Sequence, residues 1–128
     1  MRQVPGKLVR ACLADCWFSV EHVNANRFDL TGHTSVITGA ARGLSRATAV
    51  GPAMHGADVA VVDLDRDRGG DTVGEIMTLR RRAVAYGCDV AEEAAVHATA
   101  EQIHRDFSRI DILVTVAGST ARIPTAEI

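Results

Sequence analysis

The sequence predicts an α/β fold built on a parallel β-sheet, and three observations support this prediction. Short apolar runs alternate with segments of helical periodicity from Phe28 onward, in the order βαβαβαβ. This alternation favours parallel strands joined by right-handed crossovers. A glycine-containing turn joins the first apolar run to the first helical segment. Several runs are apolar throughout, as in strands that are covered on both faces.

Four apolar runs predict the strands, and we expect the sheet order 3-2-1-4 that nucleotide-binding sheets share. In this order the first two helices cover one face of the sheet and the third covers the other. The fourth strand is then an edge strand without charged residues, and such an edge invites pairing with another chain. The predicted strands cover residues 34–38, 58–63, 83–88 and 112–116.

Three segments with helical periodicity predict the helices. Gly51-Pro52 interrupts the first, because a proline inside a helix removes a backbone hydrogen bond and costs about 3 kcal/mol. The helical pattern runs over residues 42–55, and the alternative is that the helix stops near Val50 and the rest is loop. Asp89 and Glu92 predict a capping box ahead of the third helix. The helices cover residues 42–55, 67–80 and 91–107, with Leu44, Ala47 and Ala49 or Val50 inward in the first, Val73, Ile76 and Met77 in the second, and Val96, Ala100, Ile103 and Phe107 in the third.

The turn Thr38-Gly39-Ala40-Ala41-Arg42-Gly43-Leu44-Ser45 has the features of a dinucleotide-binding turn. Gly39 permits a tight turn, and Gly43 lets backbone N–H groups approach a diphosphate at the positive end of the helix. Asp63 ends the second strand 20 residues after Gly43, where a carboxylate accepts hydrogen bonds from an adenosine ribose. The alternative for Asp63 is a solvated strand end that caps the next helix.

Four segments resemble the short-chain dehydrogenase/reductase family in order and spacing. They are the lead-in Phe28-Asp29-Leu30-Thr31-Gly32, the turn from Thr38 to Leu44, the segment Cys88-Asp89-Val90, and Ile110-Asp111-Ile112-Leu113-Val114-Thr115-Val116-Ala117-Gly118. Residues 28–118 therefore resemble the N-terminal half of that family, which implies a partial Rossmann-like, doubly wound sheet.

The resemblance implies a nicotinamide dinucleotide as partner and cofactor. Asp63 favours NAD over NADP because its carboxylate repels a 2′-phosphate. Arg42 argues for NADP instead, because a basic residue beside the second glycine favours the 2′-phosphate. The cofactor-binding residues implied are Gly39, Arg42, Gly43, Leu44, Asp63, Asp89, Val90, Ala117 and Gly118.

The sequence also departs from the family pattern. Ser45 replaces the third glycine of the turn, where we expect it to push the helix outward or to form a local hydrogen bond. Thr115 and Val116 replace a pair of asparagines. The family's catalytic Tyr-x-x-x-Lys does not occur up to Ile128. We therefore assign no catalytic residue.

Three functions stay open at this point. The first is the cofactor-binding half of an oxidoreductase, truncated and inactive alone, whose relatives transfer hydride between a nicotinamide and a carbonyl or alcohol. The second is a non-catalytic nucleotide-binding or interaction module that self-associates through the fourth strand. The third is a gene remnant without function.

Composition excludes several other classes. The net charge of −2 gives no reason to expect nucleic acid or an anionic membrane as partner. Three cysteines, an odd number without a dense framework, favour a reducing compartment and a cytoplasmic location. Cys12-x-x-x-Cys16 with His22 fits no common zinc spacing, so we expect no metal site. We expect a poorly ordered N-terminal extension over residues 1–27 and an incomplete dinucleotide-binding domain over residues 28–128.

Overall fold

The computed structural model describes residues 27–119, which form a four-stranded parallel sheet with helices on both faces. The order of the strands is β3-β2-β1-β4, which confirms the predicted order. The strands are β1 (Thr34–Thr38), β2 (Asp58–Asp63), β3 (Ala83–Gly87) and β4 (Ile112–Thr115). Their bounds differ from the predicted ones by one residue at most.

Three α-helices connect the strands: α1 (Gly43–Met54), α2 (Gly70–Thr78), which follows a 3-10 turn over Arg66–Gly69, and α3 (Glu93–Phe107). Two apolar clusters form the core, one on each face of the sheet. Helices α1 and α2 pack on one face, where Ala49, Ala53 and Ile76 meet Ile37. Helix α3 packs on the other face, as the strand order predicts.

Helix α1 continues through Pro52 to Met54, in agreement with the predicted range of residues 42–55, and the alternative that it stops near Val50 was wrong. Its last turns are held against the sheet by Ala49 and Ala53, which are almost fully buried. This packing outweighs the lost hydrogen bond of the proline. The carbonyl of Pro52 then accepts hydrogen bonds from the N–H groups of His55 and Ala57, both at 3.0 Å, and the helix ends there.

The predicted inner faces of the helices were correct only in part. Leu44, Met77 and Val96 are 77%, 60% and 40% exposed, and Ala47 and Ala100 are exposed as well. In α1 only small residues are buried, whereas α2 and α3 each bury a threonine together with larger apolar residues. The buried helix residues are Ser45, Ala49 and Ala53 in α1, Thr72 and Ile76 in α2, and Thr99, Ile103 and Phe107 in α3.

The predicted capping box of α3 does not form. Asp89 instead accepts a hydrogen bond from the N–H of Ala91 at 3.0 Å, within the loop that follows β3. Glu92 is the N-cap residue, and its side chain makes no capping hydrogen bond. The predicted extension over residues 1–27 lies outside the described residues except for Arg27. Within residues 27–119, no helix has the length and apolar character needed to cross a bilayer.

Candidate functional site

A cleft of about 640 Å³ opens at the carboxyl ends of the strands. Its volume falls within the range of about 300–1,000 Å³ that small-molecule sites occupy. The strand order reverses between β1 and β4, and ligands of open α/β sheets bind at this position. Three segments line most of the cleft: the turn after β1, the end of β2 with the loop after β3, and the residues after β4.

Gly39 lies at the point where the turn after β1 touches the end of β4. Its φ of +72° is in the left-handed region, and a Cβ atom at this position would lie 2.9 Å from the Cα of Ala117. The side chain of Thr38 fixes the same contact, because its Oγ1 accepts hydrogen bonds from the N–H groups of Val116 (3.1 Å) and Ala117 (3.2 Å). These bonds brace the strand end at which Thr115 and Val116 stand in place of the family's asparagines.

Gly43 begins helix α1 and faces open space. Its φ is +61°, and a Cβ atom here would meet nothing within 4 Å. Arg42 is the N-cap residue in an extended conformation, and its side chain makes no capping hydrogen bond. The first turn carries no acidic residue. The first N–H groups of a helix have no partner within it, so this end of the cleft offers donors and a positive dipole.

Asp63 is held in a fixed orientation beside the turn. One carboxylate oxygen accepts a hydrogen bond from the N–H of Ala41 at 3.1 Å, and the other accepts one from the N–H of Leu64 at 2.9 Å. Asp65, and not Asp63, caps the 3-10 turn that follows, by accepting from the N–H of Asp67 at 3.0 Å. Asp63 therefore does not serve as the cap of the next helix.

The residues after β3 close the cleft on the far side of Asp63. The N–H of Cys88 donates to the carbonyl of Asp63 at 2.8 Å, which joins the two strand ends. Cys88 is buried, whereas Val90 is 46% exposed. Asp89 and Val90 both line the cleft, and one oxygen of Asp89 is occupied by the N–H of Ala91.

The structure brings eight of the nine predicted site residues into one cleft: Gly39, Arg42, Gly43, Asp63, Asp89, Val90, Ala117 and Gly118. Leu44 is the exception. It lies in the first turn of α1, but its side chain is 77% exposed and does not line the cleft.

The sequence did not indicate Thr72 as a residue that supports the cleft, and it indicated Ser45 only as a departure from the family pattern. Thr72 is fully buried, and its hydroxyl donates to the carbonyl of Ala40 at 2.9 Å. This contact joins residues 32 positions apart, so no local pattern indicates it. Ser45 lines the floor of the cleft and is only 9% exposed.

Tyr86, the one tyrosine of the chain, does not line this cleft. It faces α3, and its hydroxyl donates to Asp106 at 2.5 Å. The pKa of Tyr86 is raised above its ordinary value, mainly by burial and secondly by this hydrogen bond. Within residues 27–119, no cluster of three or more His, Cys, Asp or Glu side chains could hold a metal ion.

The fold and the cleft define an α/β protein of the Rossmann type, with the site at the reversal of the strand order. The family model for short chain dehydrogenases matches residues 33–128. The chain belongs to the short-chain dehydrogenase family.

Two curated relatives are 36% and 39% identical to the chain over the aligned segments. A 2-dehydro-3-deoxy-D-gluconate 5-dehydrogenase of Pseudoalteromonas atlantica is 36% identical over 102 residues, which cover 79% of this chain and 40% of the relative. A D-threitol dehydrogenase of Mycolicibacterium smegmatis is 39% identical over 100 residues, which cover 78% of this chain and 38% of the relative. The chain thus spans about two fifths of the length of these relatives.

Solved structures of the family include complexes with both nicotinamide dinucleotides. Carveol dehydrogenase of Mycobacterium avium in complex with NAD superimposes with a TM-score of 0.71 at 28% identity, over 77% of this chain and 40% of that one. A metagenomic short-chain oxidoreductase in complex with NADP gives a TM-score of 0.63 at 30% identity, over 66% of this chain and 38% of that one. The similarity alone therefore does not decide between the two cofactors.

Proposed function

We propose that the cleft binds a nicotinamide dinucleotide, and that the chain is the cofactor-binding part of an oxidoreductase. The reaction would be hydride transfer between the nicotinamide and a carbonyl or alcohol. One observation carries the proposal: the hydrogen bond from the N–H of Ala41 to Asp63 holds the glycine turn and the acid of β2 at one cleft. In this arrangement the turn would face the diphosphate and the acid would face the adenosine ribose.

We propose that NAD is preferred over NADP. Both oxygens of Asp63 accept backbone N–H groups, and each carboxylate oxygen keeps a further lone pair for a ribose hydroxyl. A 2′-phosphate would bring a second negative charge to the same place. Arg42 and Arg68 also line the cleft and favour that phosphate, but Arg68 lies 3.7 Å from Asp65 and is partly neutralised by it.

Calorimetric titration of NADH and NADPH tests both proposals. We expect wild-type protein to bind NADH more tightly. Asp63→Asn should weaken NADH binding at least about tenfold, since hydrogen bonds to a charged group contribute about 1.5–3 kcal/mol. It should weaken NADPH binding less, because the repulsion of the 2′-phosphate is removed with the charge.

The matched control is Asp71→Asn, because Asp71 is exposed on α2 and does not line the cleft. Its affinities should equal those of the wild type, and circular dichroism should show both variants folded. Equal affinity of the wild type for NADH and NADPH would contradict the preference. Failure to bind either one would contradict the cofactor proposal itself.

We also propose that this chain does not turn over a carbonyl or alcohol substrate alone. The family pattern Tyr-x-x-x-Lys does not occur in the sequence, whose one tyrosine is followed four residues later by Val90. The test is oxidation of NADH by the purified chain in the presence of a panel of aldehydes and ketones. Turnover that disappears in Asp63→Asn would refute the proposal, because it would place a complete active site in this chain.

A second candidate function is an interaction module that associates with itself through β4. Among the described strands, β4 pairs only with β1, and residues Ile112–Thr115 carry no charge. Leu113 is 64% exposed on the face that α3 covers in part. Sedimentation analysis tests this candidate: a defined dimer supports it, and a monomer at micromolar concentration refutes it.

We propose a cytoplasmic location as well. The count of three cysteines is odd, and Cys88 is a free, buried thiol, as expected in a reducing compartment. Fractionation of the producing cells would refute this location if the chain appeared outside the cytoplasm.

A further inference from the structure

We propose that the hydroxyl group of Ser45 is a direct ligand of the dinucleotide's diphosphate. This inference rests on the proposed function and assigns a new binding group to the same cleft. Ser45 stands where the family pattern has its third glycine, so a hydroxyl group is present that the resemblance does not provide.

Three observations on Ser45 coincide. The residue is 9% exposed, it lines the cleft, and its Oγ makes no hydrogen bond within residues 27–119. Among the described residues, the fully buried side-chain atoms without a partner are Nδ1 of His33, Oγ of Ser35 and Nε of Arg81, so the Oγ of Ser45 is not enclosed by the protein. The expected local hydrogen bond is not formed. The donor is therefore available to a molecule that occupies the cleft.

The position of Ser45 in helix α1 identifies the diphosphate as the group it meets. Ser45 begins the buried stripe that continues with Ala49 and Ala53, so its side chain lies between the helix and the sheet at the floor of the cleft. It is the third residue of the helix, in the same turn as Gly43, where the unpaired backbone N–H groups lie. An anion at this end would accept from these groups and from Oγ together.

Other parts of a dinucleotide fit this position less well. The ribose acceptor Asp63 is at the end of β2, where its oxygens are oriented by Ala41 and Leu64. The segment Cys88-Asp89-Val90 lies beyond it, after β3. In this arrangement Asp63 and the segment after β3 would contact the adenosine, and Ser45 would contact the phosphates.

Ser45→Ala tests the inference, because it removes the hydroxyl and keeps the small buried side chain. We expect the affinities for NADH and for ADP to fall at least about tenfold, because one hydrogen bond to a charged acceptor is lost. The affinity for adenosine, followed by NMR chemical shifts, should not change. Ser45→Gly should show the same loss, although it matches the family pattern.

Ser35→Ala is the matched control. The hydroxyl of Ser35 likewise makes no hydrogen bond within the described residues, but it is fully buried in β1 and does not line the cleft. Its affinities should equal those of the wild type.

Two results would overturn the inference while leaving the proposed function intact. The first is binding of NADH and ADP by Ser45→Ala within twofold of the wild type. The second is tighter binding by Ser45→Gly, which would show that the hydroxyl obstructs the ligand. A wild-type chain that binds neither NADH nor ADP would overturn the proposed function, and the role of Ser45 with it.

Discussion

Substitution of each glycine of the turn by alanine separates folding from binding. Gly39 and Gly43 both have positive φ, +72° and +61°. Their surroundings differ: a Cβ atom on Gly39 would lie 2.9 Å from the Cα and 3.1 Å from the N of Ala117, whereas one on Gly43 would meet nothing within 4 Å. Gly39→Ala should therefore act on the stability of the fold, and Gly43→Ala on the ligand.

The magnitudes follow from two contributions. A left-handed conformation costs an alanine about 1–2 kcal/mol, and this applies to both positions. The contact with Ala117 is with backbone atoms, which cannot rotate away, and overpacking of this kind costs about 1–3 kcal/mol more. We expect Gly39→Ala to lower the free energy of unfolding by about 2–5 kcal/mol, and Gly43→Ala by about 1–2 kcal/mol.

Urea unfolding followed by circular dichroism gives the first comparison, and NADH titration gives the second. Gly43→Ala should stay folded but bind NADH at least about tenfold more weakly, because its methyl group extends into the cleft where backbone N–H groups meet the ligand. Equal unfolding free energies for the two variants would refute the packing argument at Ala117. Unchanged NADH binding by Gly43→Ala would refute the assignment of the turn.

Two further predictions concern groups outside the cleft lining. Thr72→Val should lower the free energy of unfolding by about 1–3 kcal/mol in urea titrations, because the buried carbonyl of Ala40 loses its donor; an unchanged midpoint would contradict this. Hydrogen bonds, first from Arg109 and then from the N–H of Thr34, hold the pKa of Asp111 below its ordinary value of 3.8. The charged carboxylate of Asp111 therefore stabilises the fold above that pH, and this stabilisation is lost as the pH falls through the lowered pKa. Asp111→Asn should therefore be less stable than the wild type at pH 6, with the difference shrinking at pH 3, and a difference that does not depend on pH would contradict the role of the charge.

The sequence predicts the strands of this fold better than the faces of its helices. The continuous apolar run Val59-Ala60-Val61-Val62 marks β2 because this strand is covered on both sides. β1 is buried in the same way, although its sequence Thr-Ser-Val-Ile-Thr contains only two apolar residues. The buried face of a helix is harder to predict, since it depends on where the helix meets the sheet. Helix α1 buries Ser45, Ala49 and Ala53 and exposes Leu44, which inverts the expectation from hydrophobicity alone. Close approach to the sheet selects small side chains, and periodicity does not reveal this distance.

The candidate site shows the same division between local and long-range information. Gly39, Gly43 and Asp63 were predicted from spacing, because the turn and the next strand are linked through a short segment of chain. Thr72 could not be predicted in this way, because its partner is 32 positions away. The role of Thr38, which joins β1 to residues 78 and 79 positions later, has the same origin.

Hydrogen bonds connect Asp63 to the glycine turn, so a substitution at either place affects how the cofactor binds. The carboxylate of Asp63 accepts from the N–H of Ala41, the N–H of Ala40 donates to the carbonyl of Val62 at 3.1 Å, and the hydroxyl of Thr72 donates to the carbonyl of Ala40. A change at Asp63 therefore alters the turn as well as the charge. Thr72→Val disturbs the turn without touching the charge, so it should weaken the binding of NADH and NADPH by the same factor. Asp63→Asn should change their ratio, and this contrast separates orientation of the turn from repulsion of the 2′-phosphate.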